Sequence, residues 1–222
     1  MPTYLYGLIR SVDADRVPRV AGLHGGAVRT VRCDAVAGIA STVDADTVVP
    51  TADVIRAHDD VLRAVAEAGV TALPVRFAQT FPADESPCEY LRDRPQLART
   101  LDAYAGCVEM HVVMPTAAGN LEWARASRGN VPAELQGPGL AYLESIRAAQ
   151  TGRADFALKP MLGPVVQAEH PSLLSGGRGV SFAHLIRRED IPAYREAVAS
   201  FPALAEASVI GPLPLYSFTA GP

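Results

Sequence analysis

Cys107, Glu109 and His111 set a thiol, a carboxylate and an imidazole at two-residue spacing. On a strand that spacing turns all three to one face, where such groups can in principle hold a metal. No second cluster with ligand spacing accompanies them, so they read as polar residues on a sheet surface and no metal is expected. His58 falls among Val54, Val61, Leu62 and Val65 on the apolar stripe of a helix, the place of a core histidine satisfied from within. Arg76, a cation among small residues, suits a structural ion pair better than a ligand contact. Asp59-Asp60 is a solvated acidic step. Ser175 to Gly179 lacks the Gly-Lys-Ser/Thr ending of a phosphate loop, and no Gly-x-Ser-x-Gly elbow occurs. The expectation is no catalytic residue, no cofactor and no metal.

The rest of the composition narrows the class. Apolar residues make up 49% of the 222 and charged ones 20%, ordinary globular usage with enough chain for one large or two small domains. A net charge of −4 argues against nucleic acid, whose phosphates call for a basic surface. Three widely spaced cysteines, Cys33, Cys88 and Cys107, include no Cys-x-x-Cys pair and read as small buried residues of a reducing compartment rather than a disulfide framework. With no signal-peptide pattern and no apolar run of spanning length, the expected location is cytoplasmic.

The elements that would position these residues centre on residues 70–81. Leu73, Val75, Phe77 and Phe81 alternate with Ala72, Pro74, Arg76, Ala78 and Thr80, which predicts a central strand, with Pro74 marking an edge or bulge. Ahead of it come a strand over 4–9, a short helix over 13–20, a hairpin of 28–33 with 36–43, and a helix from the Thr51 cap to about Ala68, closed by Gly69. After it, Ser86-Pro87-Cys88-Glu89 starts a helix that breaks at Pro95 and restarts, and Cys107 to Met114 is a strand. The order is βαββαβ with an added helix, an α+β fold whose N-terminal domain is ferredoxin-like. Helices on one face would leave the other open, with Tyr4, Tyr6, Arg76, Glu109 and His111 on it as a possible partner-binding surface. Breakers between residues 115 and 138, with Trp123 among them, predict a linker between domains 1–114 and 139–222. The second, smaller and helix-rich α+β domain has expected helices over Gly139 to Ile146, Met161 to Leu174 and Asp190 to Ser200. Expected strands cover Val180 to Ile186 and Ala207 to Ile210. Its tail, 211–222, is extended, and Leu213, Leu215, Tyr216 and Phe218 would dock on the protein rather than stay in water.

Five stretches in this order resemble a known family: Tyr4-Leu5-Tyr6-Gly7, His58-Asp59-Asp60-Val61-Leu62, Leu73-Pro74-Val75-Arg76-Phe77 with Phe81, Gly139-Leu140-Ala141-Tyr142-Leu143, and Gly211-Pro212-Leu213-Pro214-Leu215-Tyr216-Ser217-Phe218. Together, over nearly the whole chain, they are similar to the gas vesicle accessory proteins GvpF and GvpL. The sequence departs from the family pattern at Ala78, usually glycine, and at Leu213 and Leu215, often tryptophan and proline. The resemblance implies a non-enzymatic assembly factor of two α+β domains, associated with the gas vesicle. Its partner would be the hydrophobic shell protein, with other accessory proteins as further partners. Two other readings stand beside it: a small-ligand-binding protein or enzyme on ferredoxin-like repeats with Arg76, Glu109 and His111 lining a pocket, and a minor structural component of the vesicle.

Overall fold

The computed structural model describes residues 2–44, 47–83, 86–115, 157–174 and 179–219. Trp123, the helix expected over Gly139 to Ile146 and most of the turn Ser175 to Gly179 lie outside them. The fold is α+β, and the chain divides into two compact units, residues 1–109 with 212–222, and residues 110–211. The tail, grouped by its sequence position with the second domain, belongs to the first unit.

In the first unit, β1 (Thr3–Arg10) is central. It lies between a hairpin of β2 (Arg29–Cys33) and β3 (Val36–Thr42) on one side and two short strands, β4 (Leu73–Pro74) and β5 (Thr80–Phe81), on the other. The hairpin turn expected at Asp34-Ala35 is present, with Asp34 at φ 53°, a left-handed conformation that Asp tolerates better than most residues. The expected first helix is reduced to a 3-10 segment, Ser11–Arg16. Arg10 and Arg16 both pair with the buried Asp13 there, at 2.7 and 2.9 Å.

The stretch expected to be the central strand is instead an interrupted edge. Leu73 and Pro74 pair with Leu8 and Gly7, Thr80 and Phe81 pair with Tyr4 and Thr3, and between them Val75 N–H still donates to Tyr6 O at 3.1 Å and Leu5 N–H to Gln79 O at 3.0 Å, while residues 76–78 interrupt the ladder. Pro74, without an N–H, and Ala78, at φ 66°, explain why continuous pairing stops. The edge position inferred from Pro74 holds; the central one does not.

A bulge in β1 decides which side chains share a face. Its register against β3 shifts between Leu5 and Gly7, so Tyr6 is the extra residue, and Tyr4, Tyr6 and Ile9 join one core cluster. Leu5 is turned to the opposite face, where a Cβ on Gly38 would lie 2.7 Å from its Cδ1. Simple alternation fails at such a bulge.

α1 (Ala52–Glu67) covers the Tyr4 face. Thr51 caps it, its Oγ1 accepting from Val54 N–H at 3.3 Å, and Gly69 follows at φ 76°. Its stripe Val61, Leu62 and Val65 is buried, and Gly7 is matched to it, since a Cβ there would lie 2.7 Å from Leu62 Cδ2. Each such side chain removed from water contributes roughly 1.5–3 kcal/mol.

α2 (Ser86–Arg92) lies on the other face. Tyr90 meets Phe81 edge-on at 5.6 Å, and Cys88 is bonded to Cys33. By register Phe81 shares the face of Thr3, and Cys33 that of Val36 and Arg10, the side away from Tyr4. α3 (Gln96–Ala103) follows after the break at Pro95, burying Thr100 and Leu101. With helices on both faces the sheet has no open side, so the expected exposed face does not exist.

The second sheet has the order β7-β8-β6-β9, from β6 (Cys107–Pro115), β7 (Ala168–Leu173), β8 (Gly179–Arg187) and β9 (Ser208–Leu213). The helix expected over Met161 to Leu174 is a single turn, α4 (Lys159–Leu162), then a 3-10 turn and strand β7. Gly163 at φ 71° and Pro164 stop the helix, and pairing with β8 over Ala168 to Leu173 overrides the local apolar pattern. Pro171 is tolerated because β7 is an edge strand. α5 (Ile191–Ser200) lies where expected, whereas β9 runs on through Pro212, again on an edge.

Candidate functional site

The sequence-based residues divide among three polar centres and one exposed loop. Tyr4 and Tyr6 are fully buried beneath α1. The Tyr4 hydroxyl lies 2.8 Å from His58 Nδ1 and accepts from Ala78 N–H at 3.4 Å. Burial lowers His58 to a pKa of about 4 against the weaker opposing pull of Asp59, and raises Tyr4 to about 12. The imidazole is therefore neutral at pH 7, and the tyrosine hydroxyl donates to it. Tyr6 OH accepts from Leu23 N–H at 2.7 Å and shares a bond with Ser41 Oγ at 2.8 Å. Gly22 is required beside it, since a Cβ there would lie 2.2 Å from Tyr6 OH. Phe77 completes the cluster, edge-on to Tyr4 and His58. The core-histidine reading of His58 holds. Arg76, next to Phe77, is exposed in the loop between β4 and β5.

Glu109 is also fully buried, and the C-terminal tail covers its carboxylate. Ser217 donates its N–H to Oε2 at 2.8 Å and its hydroxyl to Oε1 at 2.9 Å. Leu215 and Phe218 are 1% and 2% exposed, with Phe218 edge-on to Tyr104. The Tyr216 hydroxyl donates to Asp59 Oδ1 at 2.6 Å, and Asp59 also pairs with Arg63. Burial, then the bond to Asp59, pushes the Tyr216 pKa up. The tail is docked through Leu215 and Phe218 as expected, whereas Tyr216 keeps 40% of its surface exposed, and its partners are ones that local sequence does not reveal. Asp59, taken as simply solvated, is one of them.

In the second unit His111, half-buried, shares a bond with Ser181 Oγ at 2.8 Å. A centre that sequence reasoning missed lies on β7 and β8, where Glu169 is directly opposite His184. Glu169 Oε2 accepts from His184 Nε2 at 2.7 Å and from the N–H groups of Leu158 and Lys159 at 2.9 and 2.8 Å. With Nε2 donating, Nδ1 of the neutral ring accepts from the Tyr194 hydroxyl at 2.6 Å. Burial lowers His184, opposed by Glu169, and raises Tyr194. A cross-strand Glu–His pair would have signalled this centre had residues 168–173 been read as a strand.

So the five residues assigned to an open face are not together on one. Tyr4, Tyr6 and Glu109 are interior, His111 is half-buried and Arg76 is exposed. The cysteine expectation is also corrected, since Cys33 and Cys88 form a disulfide, while Cys107 is buried as expected. Among the described residues no group of three His, Cys, Asp or Glu side chains could hold a metal, and every buried side-chain N or O atom has a hydrogen-bond partner. No helix among them is long and apolar enough to cross a membrane.

These features define a two-unit α+β protein whose buried polar groups are used in holding its own elements together. The family described as gas vesicle synthesis protein GvpL/GvpF matches residues 2–220, and the chain belongs to it. Gas vesicle protein L2 of Halobacterium salinarum is 30% identical over 119 residues, half of this chain and 43% of that protein, so the match spans less than half of the relative's length. The crystal structure of gas vesicle protein GvpF from Microcystis aeruginosa superposes with a TM-score of 0.69 at 18% identity, over 98% of both chains. That of GvpF from Anabaena sp. PCC7120 gives 0.71 at 18%, over 98% of this chain and 95% of the other. At that identity the superpositions establish the fold.

Proposed function

We propose that the chain is a non-enzymatic assembly factor that binds the hydrophobic gas vesicle shell protein in the cytoplasm and holds it until it joins the growing shell. The observation that carries this reading is the family match over residues 2–220. The internal use of the polar centres supports it, because His58 Nδ1, both Glu109 carboxylate oxygens and both His184 ring nitrogens are bonded to structural partners. A shell protein that buries apolar surface against its own copies aggregates if exposed early, and a soluble partner suppresses that. Arg76 remains the one assigned residue whose exposure lets it meet such a partner directly.

The test is affinity capture of the tagged full chain from vesicle-forming cells before and after vesicles appear. The proposal expects the shell protein in the early eluate at near-stoichiometric amounts, and little of the chain in washed mature vesicles. A chain found chiefly in washed vesicles makes it a minor structural component instead. The ligand-binding alternative put Arg76, Glu109 and His111 around one pocket, whereas an opening of about 630 Å³ in the second unit has none of them in its lining, which includes Lys159, Pro160, Pro164 and Glu169. Metabolite-extract mass spectrometry on the purified chain tests it, and a stoichiometric small molecule would displace the assembly reading.

A further inference from the structure

The Cys33–Cys88 bond joins the end of β2 to the first turn of α2, 55 residues apart. Both cysteines are half-buried, so a small dithiol reaches the sulfurs, whereas Cys107 is 3% exposed. Exposed disulfides are the labile ones, and those sealed in a core resist reduction. What this one fastens is also marginal. α2 has seven residues, too few to hold a helix in water without tertiary support. Among the described residues it is otherwise held by the buried Pro87 and the 7%-exposed Leu91 and by the edge-on contact of Tyr90 with Phe81. The core under α1, from Tyr4 and Ile9 to Leu62 and Val65, contains neither cysteine.

We propose that the Cys33–Cys88 disulfide is a redox-operated latch that fastens α2 over the second face of the first sheet, so that reduction releases α2 and uncovers the side on which Cys33, Val36 and Phe81 lie. The reductant is a dithiol. One of its thiolates attacks one sulfur of the pair, and the other leaves as a thiolate and is protonated. The second reductant thiol then resolves the mixed disulfide. Two electrons and two protons pass to Cys33 and Cys88, and the reductant ends as a disulfide. The latch does not depend on the shell-protein reading, because it concerns only the coupling of α2 to the sheet.

The experiment is hydrogen exchange read by mass spectrometry on the full chain, air-oxidised and then dithiothreitol-reduced, with a Cys33→Ser/Cys88→Ser variant alongside. Alkylation in denaturant should count one thiol in the oxidised protein and three in the reduced one. Amides of residues 86–92 should exchange at least tenfold faster in the reduced protein and in the variant, with β1 and α1 unchanged, and reoxidation should restore the slow rate in wild type. Unchanged exchange over 86–92 would overturn the latch. So would exchange accelerating throughout residues 1–109, which would make the bond a global staple, or three thiols persisting in air. If the variant fails to fold, the wild-type pair of measurements decides alone.

Discussion

Each unit holds a buried histidine bonded to a tyrosine hydroxyl and at least one buried carboxylate, Asp13 and Glu109 in the first and Glu169 in the second, but among the described residues only Glu169 is bonded to its unit's histidine. There Glu169, His184 and Tyr194 form one chain of hydrogen bonds, with both ring nitrogens engaged and the carboxylate opposing the drop that burial imposes on the ring. In the first unit the groups are kept apart. Glu109 binds the tail through Ser217, while His58 bonds Tyr4 and, among the described residues, no carboxylate, and burial takes its pKa to about 4. The same residue types thus give a closed local network in one unit. In the other they give a long-range tether and an acid-sensitive core histidine.

The largest effect expected is loss of the tether. Deleting residues 212–222 exposes the sockets of Leu215 and Phe218 and strips Glu109 of its bonds to Ser217, a loss of roughly 5 kcal/mol. Chemical denaturation should show the first unit unfolding at far lower denaturant, and an unchanged midpoint would dissolve the contrast between tethered and local carboxylates. Next, Glu169→Ala leaves the N–H groups of Leu158 and Lys159 and the His184 ring without their acceptor. The cost should be about 3–4 kcal/mol. Glu169→Gln, which keeps an acceptor oxygen, should recover part of it.

The third prediction is an acid transition. His58 is depressed from 6.5 to about 4, so the folded state binds fewer protons than the unfolded one. The corresponding stability is fully present above about pH 6.5 and is lost as pH falls through about 4, amounting to about 3 kcal/mol at roughly 1.4 kcal/mol per unit. Stability measured across that window should lose its His58 component in His58→Phe, which keeps a ring against Tyr4, Tyr6 and Phe77. A slope identical to wild type would place the acid sensitivity elsewhere. The smallest effect is a gain. Ala78 holds φ 66° while its N–H donates to Tyr4, so Ala78→Gly should stabilise by about 1 kcal/mol in thermal melts. No gain would mean that the loop does not constrain this residue.

Local sequence signals carried α1 with its Thr51 cap, the β2–β3 hairpin, β8, α5 and the inward aim of His58, because each rests on periodicity or capping within a few residues. What escaped were features set by distant partners. β7 looks helical until β8 pairs with it, which hid Glu169 opposite His184. The alternation of β1 misassigns faces because of one extra residue at Tyr6. Glu109 reads as a surface carboxylate until a tail 108 residues away covers it. The Cys33–Cys88 bond, spanning 55 residues, has no spacing signature at all.

The proposed role in keeping the shell protein from aggregating before assembly is tested by removing the chain from a vesicle-forming cell. The measurement is the partition of newly made shell protein between vesicles and insoluble aggregate. Vesicles should disappear, shell protein should sediment as aggregate, and the wild-type chain supplied in trans should restore vesicles. Shell protein still entering vesicles at the normal rate in cells lacking the chain would contradict it.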